Sequence, residues 1–307
     1  MKRRCPWQVK REASPLHYSL MVLNSTRLKV AAINFLNPAP LMWDFEHAPL
    51  MEVFAEKYEL RYTPPSQCAD DLLAGRADLG LIPIAALTPA LAVVPGCTIA
   101  ALRQVRSILL VSKVPLGEIG TIAGDISSRS SVAYTEVLCR RFLGIFPKVY
   151  AHVPELESML ARHDAALLIG DPALLALERR AEVERRVGQK LEWHDVAELW
   201  RFWTGLPWVA AVWAVREEAL KGCGLRAGEL VEDLQRSRDH GLENIAGLVE
   251  EWVPRLAVPA AMIRTYLTQN IHYVLDDECL KTVEVFRAYA DELGVLPALP
   301  RIRMLEI

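Results

Sequence analysis

The sequence has little net charge and no run of like charge. Its 35 lysines and arginines face 38 aspartates and glutamates, leaving −3 at pH 7. A nucleic-acid partner calls for a basic excess to neutralise phosphates, so none is expected. Long apolar runs are also missing. No stretch approaches the roughly 20 apolar residues of a membrane span, so no membrane partner is expected either. The six cysteines form no CxxC pair, and none sits with histidines at zinc spacing. Scattered over a chain this long, they read as reduced, buried thiols of a cytoplasmic protein. Internal repeats and low-complexity segments are absent. Nineteen prolines against sixteen glycines point to defined turns, not to a flexible linker.

What is present is globular. The 307 residues are 52% hydrophobic and 24% charged, enough for one large domain or two lobes. Residues 1–27 read as a weakly ordered extension. Lys2-Arg3-Arg4 resembles the start of a signal peptide, but His17, Tyr18 and Ser19 interrupt the apolar run that follows. A small-residue cleavage site is missing, and Met21 is a plausible alternative start. Ordered patterning begins at Leu28. Strands are expected at Leu28–Ile33, Tyr58–Tyr62, Ala77–Ile82, Thr98–Leu102, Ser107–Ser112, near 118–122, near Val149, and at Ala165–Ile169 and Trp208–Val215. Helices are expected near 41–46, at 66–74, 154–162 and 170–186, then at 216–221, 225–239, 242–253, 259–268 and 276–293. Strands alternating with helices imply parallel sheets covered on both faces.

The stretch Ala123–Gly144 carries the densest polar chemistry. A turn rich in hydroxyls leads into a helix with Tyr134, Val137, Leu138 and Phe142 on one face. The first N–H groups of that helix lack internal acceptors and carry partial positive charge, which makes an anion site. Ser127, Ser128, Ser130 and Ser131 add hydroxyls, and Arg129 adds a fork suited to a carboxylate. Against this stands an ordinary N-cap followed by a solvated loop.

Two groups of β/α units and a helical tail suggest two α/β lobes. The first takes residues 28–106 and 207–307, and the second, 107–206, is inserted into it. A cleft between them gathers turns that follow strand ends, where α/β sheets bind ligands. These turns are Asn34–Asn37, Pro83–Ala85, Ser127–Ser131, Gly170–Asp171 and Thr204–Gly205.

Six segments in order give these turns a family likeness: NFLNPAP at 34–40, ADLGLIP at 77–83, RSILLVSK at 106–113, DISSRSS at 125–131, DAALLIGDPAL at 164–174 and LWRFWTGLPWVAAVWA at 199–214. YLTQNIHYVLDDE at 266–278 and VFRAYADELGVL at 285–296 extend it. Together they resemble the chorismate dehydratase family of the futalosine route to menaquinone, from about Leu28 to Leu296. The resemblance implies a two-lobed fold like type II periplasmic solute-binding proteins, with an inter-lobe cleft and a helical C-terminal tail. It implies loss of water from chorismate to give 3-[(1-carboxyvinyl)oxy]benzoate. A sister enzyme of the same fold, which cleaves cyclic dehypoxanthine futalosine, usually builds its first turn around Cys-Pro-Asn-Asp. Phe35-Leu36-Asn37 favours the dehydratase. A solute-binding protein without catalysis is the reading from another class. The chain departs from the family pattern at Phe35, often Tyr; at Pro38, often Thr or Ser; at Ile84, often Ser; and at Ser130, usually Thr. Positions 38 and 84 thereby lose a hydroxyl.

The reaction needs both substrate carboxylates held and a base. Aromatisation drives it, so no cofactor and no metal are expected. The resemblance and the residues together nominate Asn37 as catalytic donor to developing charge or to the leaving hydroxyl, against a plain turn asparagine. Substrate contacts are assigned to Ser107, Ser127, Ser128, Arg129, Ser130, Ser131, Gly170, Asp171, Thr204 and Gly205. Arg129 either meets a carboxylate or braces its loop through Asp125. Asp171 is either a base or the cap of the helix it begins. The tryptophans near Thr204 either face the cleft or pack a hinge. No histidine lies in a matching turn, so the substrate's own enolpyruvyl carboxylate is the expected base.

Overall fold

The computed structural model describes residues 27–299 and 301–307. The expectations for residues 1–26 lie outside that range. Ten strands form two five-stranded sheets. Strands β1 (Leu28–Ile33), β2 (Tyr58–Thr63), β3 (Leu79–Pro83), β4 (Ala92–Ala101) and β10 (Trp208–Val215) make the first, in the order β2-β1-β3-β10-β4. Strands β5 (Ile108–Ser112), β6 (Thr121–Asp125), β7 (Lys148–His152), β8 (Ala165–Ile169) and β9 (Glu192–Asp195) make the second, in the order β7-β6-β8-β5-β9.

The sheets are not purely parallel, which corrects the expectation. β10 runs antiparallel to β3 and β4, and β5 runs antiparallel to β8 and β9. The connectivity supplies the reason. β5 and β10 are the strands that follow the two passages between sheets. Each starts where the other strands end, so it must run the opposite way. β4 is also longer than expected and runs through Pro95-Gly96. It is an edge strand, where a missing N–H is tolerated, and its register against β10 shifts at this point. Gly96 sits at φ +94°, a conformation open to glycine at little cost.

Other differences are local. A helix at Met51–Lys57 was not expected. The helix expected over 170–186 breaks at Arg179 into Gly170–Glu178 and Arg180–Val187. The aromatic stretch after Glu192 resolves into β9 and the helix Val196–Thr204. The helix that opens at Arg129 is α-helical to Val137, then makes a wide π turn through Leu143 and stops at left-handed Gly144.

The larger of two apolar clusters runs through both sheets. At its centre Tyr134 stacks on Phe286 at 4.0 Å and meets Trp200 edge-on at 4.9 Å. Trp208, at the start of β10, lies 5.5 Å from the same ring. Tyr134 and Trp200 come from helices of the second sheet, Trp208 from the first sheet, and Phe286 from the tail helix Asp277–Glu292. These aromatics therefore pin the two halves together along one side, leaving the other side to form the cleft.

Candidate active site

The ends of β1, β3 and β8 and the start of the Arg129–Val137 helix enclose a chamber of about 50 Å³. Asn37, Ser128, Ser130, Ser131 and Gly170 line it among apolar neighbours such as Ile33, Ile99 and Ala211. A wider vestibule of about 420 Å³ lies alongside and shares Ile33, Phe35 and Pro65 with it. No lysine, arginine, histidine or carboxylate is among the residues lining the inner chamber.

The helix start is built from the turn upward. Asp125 is buried at the end of β6, and its carboxylate accepts from Ser127 N at 2.8 Å and Ser127 Oγ at 2.6 Å. Burial raises the Asp125 pKa, and the Ser127 bonds oppose that rise. Ser127 thus holds the turn and faces the vestibule, not the chamber. Ser128 is the N-cap, accepting from Ser131 N at 3.2 Å. Ser130 Oγ accepts from Ala85 N at 3.1 Å, a bond between the two halves. The chamber thus meets a helix N-terminus dressed with three serines, where the free N–H groups and the dipole favour an anion. Arg129 does not brace its loop through Asp125. Its guanidinium pairs with Asp70 at 2.6 Å across the cleft, and both side chains are close to half exposed.

Asn37 belongs to a polar network behind the chamber wall. Tyr266 is fully buried, and its hydroxyl donates to Ser107 Oγ at 2.7 Å. Burial pushes the Tyr266 pKa up, while Ser107 and Asn37 both act on that hydroxyl in the opposite sense. Gly170 N donates to the Ser107 carbonyl at 2.7 Å. Asn37 Oδ1 is buried without a protein partner. Unpaired buried acceptors are costly, and in a chamber wall such an atom is open to a ligand donor.

Gly170 and Asp171 clamp the turn that carries Asn37. Gly170 sits at φ +61°, and a Cβ there would come within 2.6 Å of the Phe35 ring. Asp171 Oδ1 accepts from Leu36 N at 3.0 Å. Burial pushes its carboxyl up to about 6, and the Leu36 bond opposes this. Its side chain makes no capping bond to its own helix, against one of the expectations. Thr204 and Gly205 lie away from the chamber. Thr204 Oγ donates to Trp200 O and accepts from Leu206 N, and Gly205 ends the helix at φ +73°. They form a helix C-cap. None of the nearby tryptophans lines the chamber, and Trp203 stacks on Phe142 instead.

Sequence reasoning missed Tyr266, Phe35 as the cover of Gly170, and Asp70 as the partner of Arg129. Tyr266 opens a segment that carried the family likeness, but nothing in that segment pointed to the cleft. Reading spacing alone also missed a possible metal ligand set. Ligand atoms of His272, Asp276 and Cys279 lie within 4.8 Å of one another. Here they serve each other: Asp276 pairs with His272 at 3.0 Å and caps the tail helix through Cys279 N at 2.8 Å.

The two mixed sheets, each with one reversed strand and with a cleft between them, define a type II periplasmic-binding-protein-like fold. Solved structures agree at the level of fold. Protein AF1704 from Archaeoglobus fulgidus matches with a TM-score of 0.66 at 12% identity, covering 88% of this chain and 98% of its own. The Candida albicans CA3427 gene product, described as having the generic periplasmic binding protein fold, gives 0.63 at 14%, covering 92% and 98%. The periplasmic aliphatic sulphonate binding protein SsuA from Escherichia coli gives 0.61 at 14%, covering 92% and 94%. Residues 28–292 match the menaquinone biosynthesis family, and the chain belongs to that family. A chorismate dehydratase from Thermus thermophilus is 29% identical over 256 residues, covering 80% of this chain and 90% of its own.

Proposed function

We propose that the protein is a chorismate dehydratase, a lyase that eliminates water from chorismate to give 3-[(1-carboxyvinyl)oxy]benzoate. Membership of the menaquinone biosynthesis family and the similarity to the Thermus thermophilus chorismate dehydratase support the activity. The observation that carries the chemical reading is the composition of the chamber. The inner chamber offers hydrogen-bonding groups and a helix N-terminus but no titratable side chain, and the one carboxylate lining the adjoining vestibule, Asp125, is engaged by Ser127.

That composition suits an elimination in which the substrate supplies its own base. The enolpyruvyl carboxylate takes the proton from the ring carbon that bears the ether. The electron pair left on that carbon forms the new ring double bond as the neighbouring carbon–oxygen bond breaks. The departing hydroxide takes the proton now held by the enolpyruvyl carboxylate and leaves as water, which restores the carboxylate as the ring becomes aromatic. The chain's part is to hold and to stabilise. Ser128, Ser130, Ser131 and the N–H groups at the helix start hold one carboxylate. Asn37 places an amide against the charge that develops, where a fixed donor acts without reorganisation. Ser107, tied to Asn37 through Tyr266, keeps that amide in place. The apolar wall excludes water and strengthens each of these bonds. Buried thiols at Cys68, Cys97, Cys139 and Cys279 suit a reducing cytoplasm, the compartment we propose.

The test is direct. Purified protein mixed with chorismate should remove the diene absorbance and produce an aromatic product. Binding with no turnover would instead favour a carboxylate-binding protein of the same fold.

A further inference from the structure

Asn37 hangs on a three-residue turn, Phe35-Leu36-Asn37, at the end of β1. Among the described residues, none in its own half of the molecule accepts from the Leu36 amide. Its acceptor is Asp171, which belongs to the other sheet's half and is the second residue of the helix Gly170–Glu178. The adjacent Gly170 receives the Phe35 ring so closely that a single added carbon would collide with it. Gly170 in turn is fixed by its N–H bond to the carbonyl of Ser107. Two consecutive residues of one lobe therefore grip two consecutive residues of the other, and the next residue is Asn37. Asp171 does not line the inner chamber, whereas Gly170 and Asn37 do. Its Oδ1 is taken up by the Leu36 backbone N–H.

We propose that Asp171 is a positioning residue that makes the placement of Asn37 depend on closure of the cleft. With the lobes together, the Leu36 N–H finds its acceptor and the turn is fixed. With the lobes apart, the bond is lost and the Asn37 amide is free to wander. The active arrangement then exists only where water is already excluded. This rests on the dehydratase reading for its catalytic consequence, but the tie itself is independent of it. One acceptor oxygen is all the tie requires, so Asp171→Asn should preserve it and Asp171→Ala should abolish it. A buried amide left without any acceptor costs about 10- to 100-fold in rate, and a neutral carbonyl acceptor in the same place avoids most of that cost.

The test is a double-mutant cycle on chorismate turnover with Asp171→Ala, Asp171→Asn, Asn37→Ala and the combined variant. Asp171→Ala should lower kcat by about 10- to 100-fold with a smaller change in KM, and Asp171→Asn should recover most of it. In the Asn37→Ala background, Asp171→Ala should cost less than threefold, because its effect passes through Asn37. Equal losses in both backgrounds would overturn the proposal. So would an Asp171→Asn variant as slow as Asp171→Ala, which would mark a proton-transfer role. Hydrogen exchange at the Leu36 amide gives a readout without any activity. Exchange should quicken in Asp171→Ala and stay slow in Asp171→Asn. If chorismate is not turned over at all, the dehydratase reading fails, while unchanged Leu36 exchange in Asp171→Ala is what removes the tie.

Discussion

Asn37 carries one unpaired buried oxygen in a chamber wall that holds no charged side chain. That oxygen is an acceptor; the donor in the proposed scheme is the N–H of the same amide, and a fixed donor is worth about 10²- to 10³-fold in turnover where charge develops. Asn37→Ala should therefore reduce kcat by about that factor, and no single His→Ala variant should come near it. Steady-state rates on chorismate for the eight variants decide this; a histidine variant that binds but does not turn over would end the substrate-assisted scheme. Asp195 shows a different kind of buried carboxylate. It caps the Val196–Thr204 helix and accepts from Arg106 N at 2.6 Å, yet burial pushes it up to about 6. Its folded value lies above the ordinary aspartate value, so the folded protein binds more protons between about pH 4 and 6. Stability from this group is then present at pH 4 and is lost as pH rises through about 6. Asp195→Asn should make that part of the curve of Tm against pH less steep, with the remaining slope owed to Asp171, which burial also pushes up to about 6; melting scans from pH 4 to 8 are the measurement.

At the level of the element, the Ser127–Ser131 turn shows how much of the site the sequence made legible. An anion-binding helix start could be read from four serines before an apolar helix face, because capping and dipole are local properties. The work of each side chain could not. Ser127 serves Asp125, Ser130 meets Ala85 from the other half, and Arg129 reaches Asp70, 59 positions earlier in the chain. Partners so distant are set by how the sheets stack, which no local pattern encodes. The same limit applied to β5 and β10: their apolar character was plain, but their reversed direction follows from the passages between sheets. Tyr266 was hidden for a related reason, since a buried phenol in a helical tail looks like core. The Arg129 geometry makes a sharp prediction. An exposed ion pair contributes about 0.2–1 kcal/mol, so Arg129→Ala should change KM for chorismate by less than about fivefold. Loss of a carboxylate anchor would cost far more, and KM values for the variant and the unaltered protein separate the two.

For the molecule as a whole, the chamber is too small for the work assigned to it. Pockets for organic ligands commonly span about 300–1,000 Å³, against about 50 Å³ here. The vestibule beside it, about 420 Å³, lies within that range, so it is entry of the reacting ring into the inner chamber that requires the cleft to widen, and the aromatic cluster around Tyr134 decides where that movement is not allowed. Tyr134, Trp200, Trp208 and Phe286 lock one side, so opening must occur on the side closed by Arg129–Asp70, Ala85–Ser130 and Leu36–Asp171. Those three contacts are few and small, whereas removing one buried aromatic from the cluster costs about 3–5 kcal/mol. Phe286→Ala should thus lower Tm by roughly 5–15 °C, while Arg129→Ala should leave Tm almost unchanged. Holding the mouth shut should stop turnover without touching the chamber. A variant carrying Asp70→Cys and Arg129→Cys, joined by a short bis-maleimide, should lose turnover on reaction with the reagent. Each single-cysteine variant given the same reagent should keep most of its rate, which controls for labelling of the native thiols. Full activity in the joined protein would show that chorismate reaches the chamber by a route that leaves this mouth closed.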